Sequence, residues 1–203
     1  TELAVALFGL TKPDSGEIRI HGQPVRMTSP RTAIRLKLGY VPEDRLRQGL
    51  VIGQSIGANM LLSTCNQVLN RFGLIDMIKR RHDVQHWIKA LGIKVSDPDL
   101  PIETLSGGNQ QKAVIARWLA TKPKVLILDS PTVGIDVGAK RSVHQLIHEL
   151  AMAGVGIILI TDEIDEALTN CTRVLLMRNG RIIADLDTAK EDETSVQTRL
   201  EAA

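Results

Sequence analysis

The amino-acid sequence predicts an α/β fold: a mainly parallel sheet covered on both faces by helices, with a helical subdomain inserted into it. Short apolar runs such as "VLIL" and "GIILI" are bounded by Gly, Pro and Lys, as strands buried on both faces are. These runs alternate with segments of helical period, the pattern of βαβ units. Residues from about Ser55 to about Leu119 show helical period with no strand between, which marks them as an insertion.

Taken in order, "TELAVALFGL" is expected to be helical, with Leu3, Leu7 and Leu10 near one face. It looks like the middle of a helix, which suggests that an upstream part of the polypeptide is absent. "KPDSG" is a turn, and "EIRIHGQPV" alternates so that Ile18 and Ile20 share a side. "KLGYVP" is a short buried strand. Within the helical middle the clearest piece is "MIKRRHDVQHWIKALGI". "KVLILD" is the next strand, followed by a helix from about Val137 to Met152, the strand "VGIILIT" and the helix "DEIDEALTN". "RVLLMRNGRIIADL" is a hairpin, because Asn179-Gly180 suits a type I′ turn. The polar tail "KEDETSVQTRLEAA" is a frayed end or a terminal helix. The expected organisation is one domain over 1–203, with the helical subdomain at about 55–119 and a C-terminal hairpin and tail at about 174–203.

With 203 residues and 43% hydrophobic content, the chain can bury one core with a smaller lobe. A formal charge of +2 is too weak to argue for a nucleic-acid partner or an anionic membrane surface. Cys65 and Cys171 match no metal or redox spacing, and reduced thiols are the economical expectation. No apolar run approaches the ~20 residues of a membrane span, so membrane association is expected through a partner.

The strongest chemical signal is "LSGGNQQKAVIARWLA". Ser106 can cap a helix whose first turn holds Gly107 and Gly108. The glycines let a phosphate approach the backbone, where free N–H groups and the helix dipole favour an anion. An ordinary Ser-Gly-Gly loop competes with this reading. The apolar run "VLILD" follows soon after, and its Asp129 stands at the carboxyl end of a strand, where open α/β sheets bind ligands. A carboxylate there can hold Mg²⁺; a turn or capping aspartate is the alternative.

With these motifs the sequence resembles the ATP-binding cassette (ABC) ATPases, and closely the ribose/galactose-type importer branch that fuses two cassettes in one polypeptide. "LSGGNQQK" is similar to the signature motif, "VLILDSPTVGIDVGAK" to the Walker B strand and D-loop, and "GYVPEDRLRQGLV" to the Q-loop region. "TELAVALFGLTKPDSGEIRIHGQPV" resembles the segment after the phosphate loop, and "PEDR" with "GNQQK" resembles the second, C-terminal cassette. The resemblance implies a phosphate-loop NTPase core with ATP and Mg²⁺ as cofactors. It makes Thr1 the hydroxyl residue closing the phosphate loop, with the N-terminal strand and the rest of that loop missing.

It also implies that Ser106, Gly107, Gly108, Asn109 and Gln110 close over ATP held by the other cassette of the same polypeptide. Asp136 lines the interface between cassettes; as a residue it equally suits a helix cap. Three positions depart from the family pattern. Ser130 stands where the general base belongs, and a serine cannot take a proton from water near neutral pH. A positioned base contributes about 10²–10⁴ in rate. Glu43 replaces the Q-loop glutamine, as in the second cassette of this branch, and Asp162 replaces the switch histidine. The expectation is therefore a degenerate site of its own, an intact signature serving the partner, and no ATPase activity from the isolated chain. Implied partners are membrane permease subunits, docked through the helical subdomain and Q-loop, and indirectly a periplasmic sugar-binding protein. The implied location is peripheral, at the cytoplasmic face of a bacterial inner membrane. A soluble ABC ATPase of translation or repair, and a nucleotide-binding regulatory module that never hydrolyses, are the alternatives.

Two histidine pairs, His82 with His86 and His144 with His148, have the four-residue spacing that can chelate a metal on one helix face. Exposed, unliganded histidines are the simpler expectation. "KRRHDVQHWIK" carries one aromatic and an aspartate, and is expected to be a solvated face rather than a nucleic-acid patch.

Overall fold

The computed structural model describes residues Thr1–Ala202. They divide into two compact units, Thr1–Ile158 and a second that begins at Leu159. In the first, α1 (Glu2–Leu7) precedes a small antiparallel hairpin, β1 (Ile18–Ile20) and β2 (Gln23–Val25). The expected single alternating strand "EIRIHGQPV" thus folds back on itself. The turn explains why: His21 and Gly22 both have positive φ, at 51° and 76°, the requirement of a type I′ turn. After α2 (Pro30–Arg35), capped by the Ser29 hydroxyl on the Thr32 amide, comes β3 (Leu38–Val41), buried along its whole length.

The helical middle contains α3 (Ile56–Leu61), α4 (Met77–Ala90) and α5 (Gly107–Leu119), followed by β4 (Val125–Asp129), α6 (Val137–Met152) and β5 (Gly156–Ile160). The strands β3, β4 and β5 form one sheet in that order, with β3 parallel to β4 in the register Tyr40 to Ile127 and Val41 to Leu128. The expected α/β core with its parallel sheet is present, and the other four described strands lie in two antiparallel hairpins. Apolar side chains along β4 (Leu126, Ile127, Leu128), α5 (Val114, Ile115) and α6 (Val143) are fully buried and build the core of this unit. α5 crosses so close to β3 that a Cβ on Gly39 would meet Leu126 and Trp118 at 2.9 and 3.2 Å. β5 is only partly buried, with Ile158 39% exposed, although its sequence matches that of a strand covered on both faces.

The opening helix differs from its sequence pattern. It buries Ala4 and Phe8 and leaves Leu3 and Leu10 about half exposed. Gly9, at φ 77°, ends the helical turn before Leu10 can continue the leucine face. Phe8 is the real anchor, 5.5 Å from the Tyr40 ring and edge-on to Trp118 at 5.1 Å.

In the second unit, α7 (Ile164–Asn170) is followed by the hairpin β6 (Arg173–Arg178) and β7 (Arg181–Asp187) and by α8 (Glu193–Ala202). Asn179 and Gly180, at φ 50° and 73°, make the expected I′ turn. Leu176, Leu186 and Val196 form its core, with Ile164, Leu168 and Leu200 packed around them. Ala203, the last residue of the expected tail, lies outside the described residues.

Candidate functional site

Asp129 ends β4 with no solvent exposure. Its Oδ2 accepts a hydrogen bond from the Tyr40 hydroxyl at 3.1 Å, while its Oδ1 is buried without a partner among the described residues. A buried carboxylate oxygen lacking a donor is costly unless a cation or water satisfies it. Burial raises the Tyr40 pKa, and the negative charges of Asp129 and, more weakly, Glu43 raise it further, so the phenol stays protonated and donating. Tyr40 is held in place by the ring of Phe8. Glu43 lies two residues beyond β3, exposed.

Ser130 sits directly after Asp129 in the left-handed region at φ 46°, with its carbonyl accepting from the Val133 amide at 3.2 Å. This sharp turn redirects the chain from β4 into the segment 131–136. Asp136 then starts α6, its carboxylate accepting from the Ala139 amide at 2.9 Å. The capping role that sequence left open is thus realised in the structure, on an exposed side chain.

At the start of α5, Ser106 occupies the N-cap position, yet its side chain makes no cap bond to the helix amides. Instead its Oγ accepts from Asn109 Nδ2 at 3.0 Å, and Asn109 Oδ1 accepts from the Lys94 amide at 2.9 Å. The first-turn N–H groups of this 13-residue helix therefore keep their capacity for an anion, with the dipole behind them. Gln110 is placed differently from its neighbours. Its side chain is buried and donates to the Leu105 and Ile102 carbonyls at 3.2 and 3.5 Å, bracing the turn from inside. The glycines also have an internal reason. A Cβ on Gly107 would lie 2.9 Å from Arg45 Nη2 and 3.2 Å from the Gly134 carbonyl, and one on Gly108 would collide with the Ala139 methyl. The signature turn, the segment 133–139 and Arg45 are thus packed together.

Three residues that sequence inspection passed over hold this region. Tyr40 and Arg45 lie inside the quoted "GYVPEDR" string, and Arg45 Nη1 and Nη2 donate to the Val133 and Gly134 carbonyls at 2.8 and 3.0 Å. Arg117 is buried in α5; its Nε and Nη2 donate to Asn59 O and Oδ1 at 2.7 and 2.9 Å, and burial pulls its pKa down to about 10. A charged residue inside the apolar string "AVIARWLA" was the available signal. Asn59 also bonds the Val51 amide and carbonyl, at 2.8 and 3.0 Å, which ties residues 51–59 to α5.

Thr1 is exposed at the start of α1, its carbonyl accepting from the Val5 amide at 3.0 Å. Asp162 is exposed in the second unit, after β5. The histidine pairs gather no further ligands: among the described residues no group of three or more His, Cys, Asp or Glu could hold a metal. Nor is any described helix long and apolar enough to cross a membrane.

Residues 1–133 match the family model for the ABC transporter. Ribose import ATP-binding proteins RbsA are similar to the chain. That of Rhodococcus jostii RHA1 is 43% identical over 196 residues, covering 97% of this chain and 39% of the relative. That of Caldanaerobacter subterraneus subsp. tengcongensis is 42% identical over 202 residues, covering 100% of this chain and 40% of the relative. The chain thus spans about two-fifths of the length of these relatives. Among solved structures, cbiO1 from Clostridium perfringens, part of the transporter complex cbiONQ, matches with a TM-score of 0.75 and 29% identity over 93% of this chain and 72% of its own. The dimeric bacterial cassette MJ0796 matches with a TM-score of 0.76 at 21% identity, over 92% of this chain and 79% of its own, which bears on the fold alone. A buried strand-end aspartate, an open signature helix and a family match over residues 1–133 lead to one assignment: the chain belongs to the ABC transporter family.

Proposed function

We propose that the chain is the C-terminal nucleotide-binding portion of a sugar importer's ATP-binding subunit, which lends its signature turn to ATP held by the other cassette of the same polypeptide. The observation that carries this reading is the start of α5, where Ser106 leaves the helix amides uncapped and is itself oriented by Asn109. Gly107, Gly108 and Asn109 offer backbone amides to the partner's triphosphate, and Ser106 offers its hydroxyl. Gln110 supports them from beneath without touching nucleotide. Similarity to ribose import ATP-binding proteins supports the sugar-import assignment, with ribose-type sugars as the cargo class.

The chain's own site keeps its cation position and lacks its proton chemistry. The buried, unpartnered Oδ1 of Asp129 fits Mg²⁺, whose charge would offset that of a bound triphosphate. Tyr40 fixes the other carboxylate oxygen, leaving Oδ1 as the available ligand. Ser130 cannot act as general base, and Glu43 brings a negative charge where the family places glutamine; in sequence, Asp162 stands where the family has its switch histidine. The site therefore binds more readily than it hydrolyses, and the isolated chain has no ATPase activity. Thr1 belongs to the phosphate-loop end of that site.

Closure of the two cassettes on ATP is passed to membrane permease subunits through the helical middle and the segment around Glu43. Apolar side chains there are offered to solvent: Phe72 is 72% and Ile78 85% exposed, with Leu74, Ile75 and Met77 between them. A patch of this kind suits a permanent protein partner. The subunit sits peripherally at the cytoplasmic face of a bacterial inner membrane, and a periplasmic binding protein delivers sugar from the other side.

The test is ATP turnover by the complete two-cassette subunit. Ser106→Arg is expected to abolish most turnover by blocking closure over the partner's nucleotide. Ser130→Glu is expected to change it little, because Glu43 and Asp162 remain altered. Unimpaired turnover in Ser106→Arg would overturn the composite-site reading.

A further inference from the structure

We infer that Arg45 is a positioning residue, a strap that fixes the signature turn and the segment 133–136 relative to one another and links both to the loop following Glu43. This rests on the composite-site reading above. One guanidinium touches all three parts. Its own backbone begins a π-helical turn, Arg45–Gly49, two residues after Glu43. Nη1 and Nη2 grip consecutive carbonyls, Val133 and Gly134, at 2.8 and 3.0 Å. Nη2 also closes against Gly107, where a Cβ would stand 2.9 Å away.

The choice of residue follows from the geometry. A planar fork spans two neighbouring carbonyls; a lysine ammonium supplies a point charge and engages the pair less well. The segment gripped needs holding, since Gly134 is in the left-handed region at φ 70° and both Val133 and Gly134 are exposed. Among the described residues Arg45 forms no carboxylate hydrogen bond, although the charge of Asp44 lies near, and its Nε is buried without a partner, so the bonds to carbonyls orient the guanidinium. A shift of residues 42–45 would thus pull on 133–134 and relax the support of Gly107. That is a mechanical route from the permease-facing loop to the surface that clasps the partner's ATP.

The experiment uses the complete two-cassette subunit. Without nucleotide, Arg45→Met is expected to speed amide hydrogen exchange about tenfold or more in peptides covering 105–110 and 132–137, the scale of losing hydrogen bonds from a charged group. Exchange in the 173–187 hairpin should stay unchanged. In turnover assays kcat should fall on the order of 10²-fold, as for misplaced catalytic groups. The KM for ATP should stay within about twofold, because Arg45 positions and does not bind. Arg45→Lys should recover part of kcat; a residue needed only for folding would move exchange in every region together. If Arg45→Met proves unfolded, Arg45→Lys and Gly107→Ala, which pushes on the strap from the other side, serve in its place. Their effects should be non-additive when combined. Unchanged exchange at 105–110, or wild-type kcat in Arg45→Met while Ser106→Arg is inactive, overturns the strap. Activity in Ser106→Arg overturns the underlying composite-site reading instead.

Discussion

Gly108→Ala isolates the close approach of α5 and α6. In an exposed helix interior this change is favourable, since alanine gains about 1 kcal/mol over glycine. At this site the new methyl would collide with the Ala139 methyl, and the backbone around Ala139 Cα lies only 3.6 Å from it. Neither neighbour is a long side chain that can swing away, so one helix must shift. Overpacking of this kind costs about 1–3 kcal/mol, with strain exceeding the propensity gain when the backbone cannot yield. The expected net loss is about 1–2 kcal/mol, or a fall in Tm of roughly 2–8 °C for a domain of this size. Urea and thermal unfolding, followed by circular dichroism and tryptophan emission, measure it. Ala139→Gly in the same chain should recover part of the loss by removing the colliding methyl, less about 1 kcal/mol for a second helical glycine. A neutral or stabilising Gly108→Ala would show that α5 and α6 do not touch here. Gly108 would then have to be explained by ligand access alone.

Asp136→Ala should cost about 1 kcal/mol through loss of the α6 cap, read as a drop in Tm, and Asp136→Asn should retain most of it. Tyr40→Phe removes the hydrogen bond to Asp129 Oδ2, leaves a second buried carboxylate oxygen unpaired, and should cost about 1–3 kcal/mol in urea unfolding while the Phe8 packing persists. At Ser130, held at φ 46°, glycine should be tolerated and valine should destabilise by about 1–2 kcal/mol, so the two variants diverge in Tm. In the second unit, the Arg173 hydrogen bonds hold the Asp185 pKa below its ordinary value. The folded carboxylate therefore stabilises the hairpin above the unfolded pKa of about 3.9, and that contribution fades as pH falls through the folded value. Acid titration of hairpin stability should flatten in that range in Arg173→Gln.

Much of the fold follows from local pattern. The apolar strings at 125–129 and 38–41 became buried strands, the 137–152 helix begins and ends where periodicity and Asp136 predicted, and Asn179-Gly180 turned its hairpin. These features depend on neighbours a few residues apart, which a sequence displays. That Ser106 stands at the N-cap position of a helix and Asp129 at the end of a strand was legible for the same reason. What tertiary structure decided was which side chains face one another across long separations. Phe8, rather than the leucines beside it, anchors the first helix because Tyr40 and Trp118 are there to receive it. Gly107 and Gly108 are small because Arg45 and Ala139 arrive from elsewhere in the chain, and Gln110 turns inward because the carbonyls of Ile102 and Leu105 need a donor. Likewise the Arg45 fork meets carbonyls 88 and 89 residues away. Such contacts depend on chain crossings that no local period encodes; local sequence determined the elements and the motif chemistry, and packing determined how that chemistry is held.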